Sequence, residues 1–202
     1  EYHLSQHGFA RDCEFVIVNQ EKDEVSFEVS YSEETLAIFP FKFTLQVSYR
    51  LVGNQLIVNY QVVNKDEKEI LFSLGGHPAF NCPLVDGTSF EDYYLQFQEQ
   101  ETVNQLHLNT STGLRNGNEE QVKIGKRIDL NYDLFDNDAL IYEGLKSSEV
   151  SFVFHKKEYG ATPPETSKSI LPLFSISQSV ASITISVTMI GSGFEIINVS
   201  SM

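Results

Sequence analysis

The stretch Phe41-Lys42-Phe43-Thr44-Leu45-Gln46-Val47-Ser48-Tyr49-Arg50-Leu51-Val52-Gly53-Asn54-Gln55-Leu56-Ile57-Val58-Asn59-Tyr60-Gln61-Val62 sets apolar side chains at every second position on both sides of a glycine-asparagine pair. A period of two sends successive side chains to opposite faces of an extended backbone, so Phe41, Phe43, Leu45, Val47 and Tyr49 share one face of a strand. Leu56, Val58, Tyr60 and Val62 share one face of the next. Val52-Gly53-Asn54-Gln55 supplies the turn residues between them, which predicts an antiparallel hairpin.

Working outward, the same alternation runs through Val25, Phe27, Val29 and Tyr31, through Leu95 and Phe97, through Val150, Phe152 and Phe154, and through Ile183, Ile185, Val187 and Met189. Ser32-Glu33-Glu34-Thr35 fits the start of one helical turn, which Pro40 stops, and no segment sustains a 3.6-residue period. Many short strands separated by Gly, Asn and Pro turns predict an all-β chain, an antiparallel β-sandwich or barrel, read as one domain over 1–202. No repeat is visible.

Composition narrows the ligand. With 202 residues, 41% apolar and 12% aromatic, the chain can bury a core. Its formal net charge of −14 and pI near 4.7 argue against nucleic acid and anionic membrane as partners, because such a field repels phosphates. A small uncharged molecule fits better. Cys13 and Cys82 do not make a disulfide framework, and no segment resembles a signal peptide or an apolar run long enough to span a bilayer, so the chain reads as cytoplasmic. The oligomeric state is left open.

Two short polar stretches carry the chemistry: Gln6-His7-Gly8-Phe9-Ala10-Arg11-Asp12 and Gly75-Gly76-His77-Pro78-Ala79-Phe80-Asn81. Imidazole titrates nearest neutrality, at about pKa 6.5, and these stretches hold two of only five histidines. Gly75-Gly76 and Pro78 fix a bend at the end of the run Ile70-Leu71-Phe72-Ser73-Leu74, which is expected to present His77 at a strand end. His77 is then either a proton donor to a substrate oxygen or a histidine that satisfies a carbonyl at a tight turn. His7 is a ligand contact or part of a surface turn beside an Arg11–Asp12 charge pair. Arg11 offers a planar fork of directed donors to a hydroxyl-rich or anionic group.

These two stretches lie 70 positions apart and are followed by Leu134-Phe135-Asp136-Asn137-Asp138-Ala139-Leu140. In sequence and order they resemble the aldose 1-epimerase (galactose mutarotase-like) family, near its LacX-like branch, over residues 5–155. Phe39-Pro40-Phe41-Lys42-Phe43 adds to the likeness. The resemblance implies a β-supersandwich and a cofactor-free interconversion of the α and β anomers of a hexose. It implies His77 as general acid at the ring oxygen, His7 as the second histidine beside that oxygen, and Asp138 as a carboxylate for sugar hydroxyls. Asn81 is placed in the substrate pocket, and Arg11 matches an arginine of phosphate-accepting relatives, although the charge of −14 disfavours a sugar phosphate.

The departures are as specific as the match. The family's general base is a late glutamate in an E-P-W type motif, and this sequence has none; Glu195, in Gly193-Phe194-Glu195-Ile196-Ile197, has different neighbours. The family's upstream strands are also missing, so the chain is expected to be an incomplete, N-terminally truncated sandwich. From Thr166 to Met202 only Lys168 and Glu195 are charged, against 14 basic and 28 acidic side chains in the whole chain. Residues 159–202 are therefore either a divergent terminal strand region or the product of a shifted reading frame. Reading the coding DNA in the other two frames separates these, since the second requires an E-P-W segment to reappear. Three functions stay open: an isomerase with an impaired base, a non-catalytic carbohydrate-binding protein, and, ranked last for want of ligand spacing, a metal site using His7, His77, Cys13 and Cys82.

Overall fold

The computed structural model describes residues 2, 8–76, 82–84, 86–109, 111–112, 115–136 and 139–154, and the backbone of 168–172 and 182–188. The chain is all-β and antiparallel, with one short α-helix among the described residues, and it falls into two compact units.

The first unit, up to Leu74, is built on a four-strand meander: β1 (Val16–Gln20), β2 (Glu24–Ser30), β3 (Phe43–Val52) and β4 (Gln55–Asn64). The central hairpin has the predicted register, from Phe43 opposite Asn64 to Val52 opposite Gln55, so Gly53-Asn54 forms a two-residue turn. Gly53 turns the chain at φ +60, a conformation in which a Cβ is strained. Phe43, Leu45, Val47, Val29 and Val58 are buried as the alternation requires. Tyr49, Leu51 and Val52, at the hairpin end of β3, are exposed. Phe41 precedes the strand instead of opening it. On the opposite face Ser26 and Thr44 are also buried, and their hydroxyls are satisfied across the ladder by Ser48 (2.8 Å) and Ser30 (3.4 Å).

Between β2 and β3 the expected helical turn is α1 (Glu33–Ile38). Ser32 Oγ accepts the Thr35 N–H at 3.3 Å while Thr35 Oγ1 accepts the Ser32 N–H at 2.8 Å, a reciprocal cap, and the helix ends at Phe39 before Pro40.

In the second unit, which begins at Gly75, the long strand β5 (Tyr93–Leu108) pairs with β6 (Arg115–Asp129) along one edge. Its other edge takes two partners: β7 (Ile141–Glu143) beside Asn104–Leu106 and β8 (Glu149–Phe154) beside Tyr93–Phe97. β9 (Lys168–Pro172) continues the sheet beyond β8, while β10 (Ser182–Thr188) lies, up to Val187, in the first unit, where it follows β4 in the strand order. Tyr93, Phe97, Ile128, Leu130, Val150 and Phe152 form the core of this unit.

Between its two partners β5 has no backbone ladder, and side chains replace it. Gln98 accepts from the N–H and hydroxyl of Ser148, both at 3.2 Å, and Ser147 Oγ accepts the Glu99 N–H at 3.0 Å. The fully buried Glu101 accepts from Lys146 N–H (3.0 Å), Ser147 N–H (2.7 Å) and Ser147 Oγ (2.5 Å).

Candidate functional site

Of the five residues singled out from the sequence, the structure describes Arg11; His7, His77, Asn81 and Asp138 lie outside the described residues. What the structure shows for those four is how their neighbouring segments are held.

Next to His7, Gly8 takes φ +73 and leads into a 3-10 turn over Ala10–Asp12. The turn closes through Asp12 N–H to Phe9 carbonyl (3.0 Å) and Cys13 N–H to Ala10 carbonyl (3.2 Å). Phe9 fixes it to the sheet, with its ring 5.6 Å from Phe39 and 5.9 Å from Phe43. Phe39 in turn meets Phe41 at 5.1 Å and Phe43 at 5.6 Å. The Phe39-Pro40-Phe41-Lys42-Phe43 motif is thus the seat of the first histidine stretch. Arg11 stands on this turn with its side chain 60% exposed and its Nε 3.6 Å from the Asp12 carboxylate. So exposed a pair contributes little to stability, and the guanidinium is accessible to solvent.

The second stretch begins differently from expectation. Ile70 is buried, Leu71 is 70% exposed, and the run up to Leu74 makes only an isolated bridge at Ser73, so no strand leads into Gly75-Gly76. The exit from this stretch is firmly held. After the cis Cys82–Pro83 bond, the Leu84 N–H donates to Tyr93 Oη at 2.8 Å, and the Thr88 hydroxyl lies 3.0 Å from the same oxygen. Tyr93 is fully buried, stacked on Phe152 at 4.8 Å and against Phe154 at 5.3 Å. Extending the Leu95, Phe97 alternation back by two residues points to Tyr93, a signal the sequence reading left unused.

The approach to Asp138 rests on the same core. Asn131 Oδ1 accepts the Leu134 N–H at 3.1 Å, capping a 3-10 turn over Tyr132–Phe135. Leu134, Cys82, Leu84 and Phe90 all pack against the cluster around Tyr93. The exit from the His77 stretch and the entry to the Asp138 stretch therefore share one rigid support.

Both cysteines are free. Burial, with the Asp12 charge beside it, raises the Cys13 thiol, and burial pushes the Cys82 thiol up to about 11. Both shifts disfavour the thiolate form. Among the described residues no group of three or more His, Cys, Asp or Glu gathers to hold a metal ion, and no helix is long and apolar enough to cross a membrane.

Comparison with known proteins gives a consistent result. Residues 1–162 match the family described as Aldose 1-epimerase. The plasmid and chromosomal forms of protein LacX from Lactococcus lactis subsp. lactis are each 35% identical over 160 residues, 78% of this chain and 54% of theirs. This chain thus spans about half the length of these curated relatives. A galactose mutarotase related enzyme from Lactobacillus acidophilus superposes with TM-score 0.71 at 32% identity, covering 92% of this chain and 62% of that one. A galactose mutarotase-like protein from Lactobacillus casei does so with TM-score 0.69 at 31% identity, over 92% and 64%. Motifs, sandwich class and relatives agree, and the chain belongs to the aldose 1-epimerase family.

Proposed function

We infer that this protein binds a hexose and interconverts its α and β anomers by acid-base ring opening. The observation that carries this reading is the family match over residues 1–162, which spans all five candidate site residues. Anomer exchange requires a proton removed from the C1 hydroxyl and one delivered to the ring oxygen, after which the aldehyde rotates and the ring recloses. In this reading His77 delivers the proton, His7 hydrogen-bonds the sugar beside the ring oxygen, and Arg11, Asn81 and Asp138 hold hydroxyl groups. The bond between C1 and the ring oxygen breaks as the C1 hydroxyl becomes the aldehyde, and it re-forms on the other face when the ring recloses, so nothing is oxidised or reduced and the reaction asks for no cofactor. The two free thiols go with a cytoplasmic location.

A second reading is a sugar-binding protein without turnover, which goes with residues 1–202 carrying no E-P-W glutamate. Loss of a positioned base costs about 10²–10⁴-fold in rate. Polarimetry or NMR of freshly dissolved α-glucose and α-galactose decides between them. The isomerase accelerates equilibration, and His77→Ala lowers the acceleration about 100-fold or more. Sugar binding with unchanged exchange assigns the binding role; no binding and no acceleration overturn both.

A further inference from the structure

Tyr93, the first residue of β5, has no exposed surface. Its ring stacks on Phe152 and meets Phe154, contacts that a phenylalanine would make equally well. Phe97, on the same face of β5, packs in the same core with no hydroxyl at all. A phenolic oxygen taken out of water costs free energy unless it is hydrogen-bonded, so the hydroxyl of Tyr93 has to be explained by what it bonds. Its oxygen accepts the Leu84 N–H at 2.8 Å and lies 3.0 Å from the Thr88 hydroxyl. Leu84 is three residues past Asn81 and seven past His77. The backbone carbonyl of Tyr93 accepts the Leu130 N–H at 3.0 Å, beside Asn131, whose side chain caps the turn leading towards Asp138. One buried residue thus links the chain leaving the first stretch, through its side chain, to the chain entering the second, through its backbone. All of these groups belong to the second unit.

We propose that, on the reading of His77 as proton donor and Asp138 as sugar contact, Tyr93 is a positioning residue: its hydroxyl fixes the exit from the His77–Asn81 stretch relative to the entry to the Asp138 stretch. The Leu130 bond is made by the backbone and survives removal of the hydroxyl, so the Asp138 side keeps its hold. The Leu84 bond does not survive. A catalytic group misplaced by about 1 Å costs about 100-fold in rate, whereas sugar affinity is shared among several hydroxyl contacts. Loosening this link is therefore felt in kcat rather than in KM.

Initial rates of α-galactose mutarotation, followed by polarimetry over a range of sugar concentrations well below the unfolding temperature, test this in the full chain. Tyr93→Phe keeps the ring stack and is expected to lower kcat about tenfold with KM within about twofold of the wild type. Thr88→Val keeps the β-branched shape, takes one partner from the phenolic oxygen and lowers kcat about threefold. It decides alone should Tyr93→Phe fail to fold. Gly53→Ala, a destabilising change in the hairpin of the other unit, keeps the wild-type kcat, which separates placement from lost stability. An active wild type whose kcat is unchanged in the folded variants overturns the proposal and leaves the reading of the site standing. So does a change confined to KM, or an equal loss of kcat in Gly53→Ala. A wild type without turnover overturns the reading of His77 as proton donor, and the positioning role of Tyr93 falls with it.

Discussion

Glu101 is a carboxylate without solvent, and its chemistry differs from that of a surface glutamate. Burial pushes its carboxyl upward, but the Lys146 N–H, the hydroxyl and N–H of Ser147 and the Lys146 charge outweigh this and hold it below its ordinary 4.5. A group depressed in the folded state stabilises the fold fully above its unfolded pKa and loses that contribution as pH falls through the folded value. The urea midpoint of the wild-type chain is therefore expected to fall below about pH 4.3, and Glu101→Gln to flatten that acid limb. At pH 7 Glu101→Ala leaves the buried Ser147 N–H and the partly buried Lys146 N–H unpaired and costs about 2 kcal/mol, read from the same urea curves. An unchanged midpoint would show that water replaces the carboxylate. Alternation with Leu95 and Phe97 marks Tyr93 as inward-facing, but its anchoring role and that of Glu101 are not announced by local sequence, since each depends on backbone groups elsewhere: Leu84 for one, Lys146 and Ser147 for the other.

At the scale of elements, local patterning was enough for the strands whose apolar residues alternate over three or more positions and for the short helix. Alternation located β2, the β3–β4 hairpin, β5, β8 and β10, and the Ser32 to Pro40 signals located α1. β1, β6, β7 and β9 escaped it for physical reasons: β1 exposes consecutive apolar residues, β6 is an edge strand with charge at seven of its fifteen positions, and β7 and β9 have three and five residues. The hairpin turn is the most sharply testable element. A Cβ at Gly53 meets nothing within 4 Å, so substitution there acts through backbone strain alone. Gly53→Ala is expected to cost about 1 kcal/mol and Gly53→Asn clearly less, because asparagine tolerates positive φ. Thermal unfolding monitored by circular dichroism measures both, and equal losses would mean that contacts in solution, not φ, set the cost.

For the whole molecule, charge bears on the choice of ligand. With 28 acidic and 14 basic side chains the surrounding field opposes an anionic sugar, even with Arg11 exposed on its turn. A hexose 6-phosphate is accordingly expected to bind no tighter than the free hexose in calorimetric titration at low salt; tighter binding would mean that Arg11 outweighs the net field. Of the candidate site, residue types and order were legible in three short motifs, because acid-base and hydroxyl-binding groups are recognisable one by one. Their support was not legible. That Phe9 seats the His7 stretch on Phe39 and Phe43, and that Tyr93 and its core carry both the exit from the His77 stretch and the entry to the Asp138 stretch, are contacts across long sequence separations. The sequence by itself determined the strands with clean alternation, where the central hairpin turns and which family the motifs belong to, since period, turn chemistry and motif are properties of neighbouring residues. Only the tertiary structure decided which faces are covered. It buried Ser26, Thr44 and Glu101 and left Val16, Ile17 and Tyr49 in water, because burial is set by what the rest of the chain brings to a surface and not by the residue that forms it.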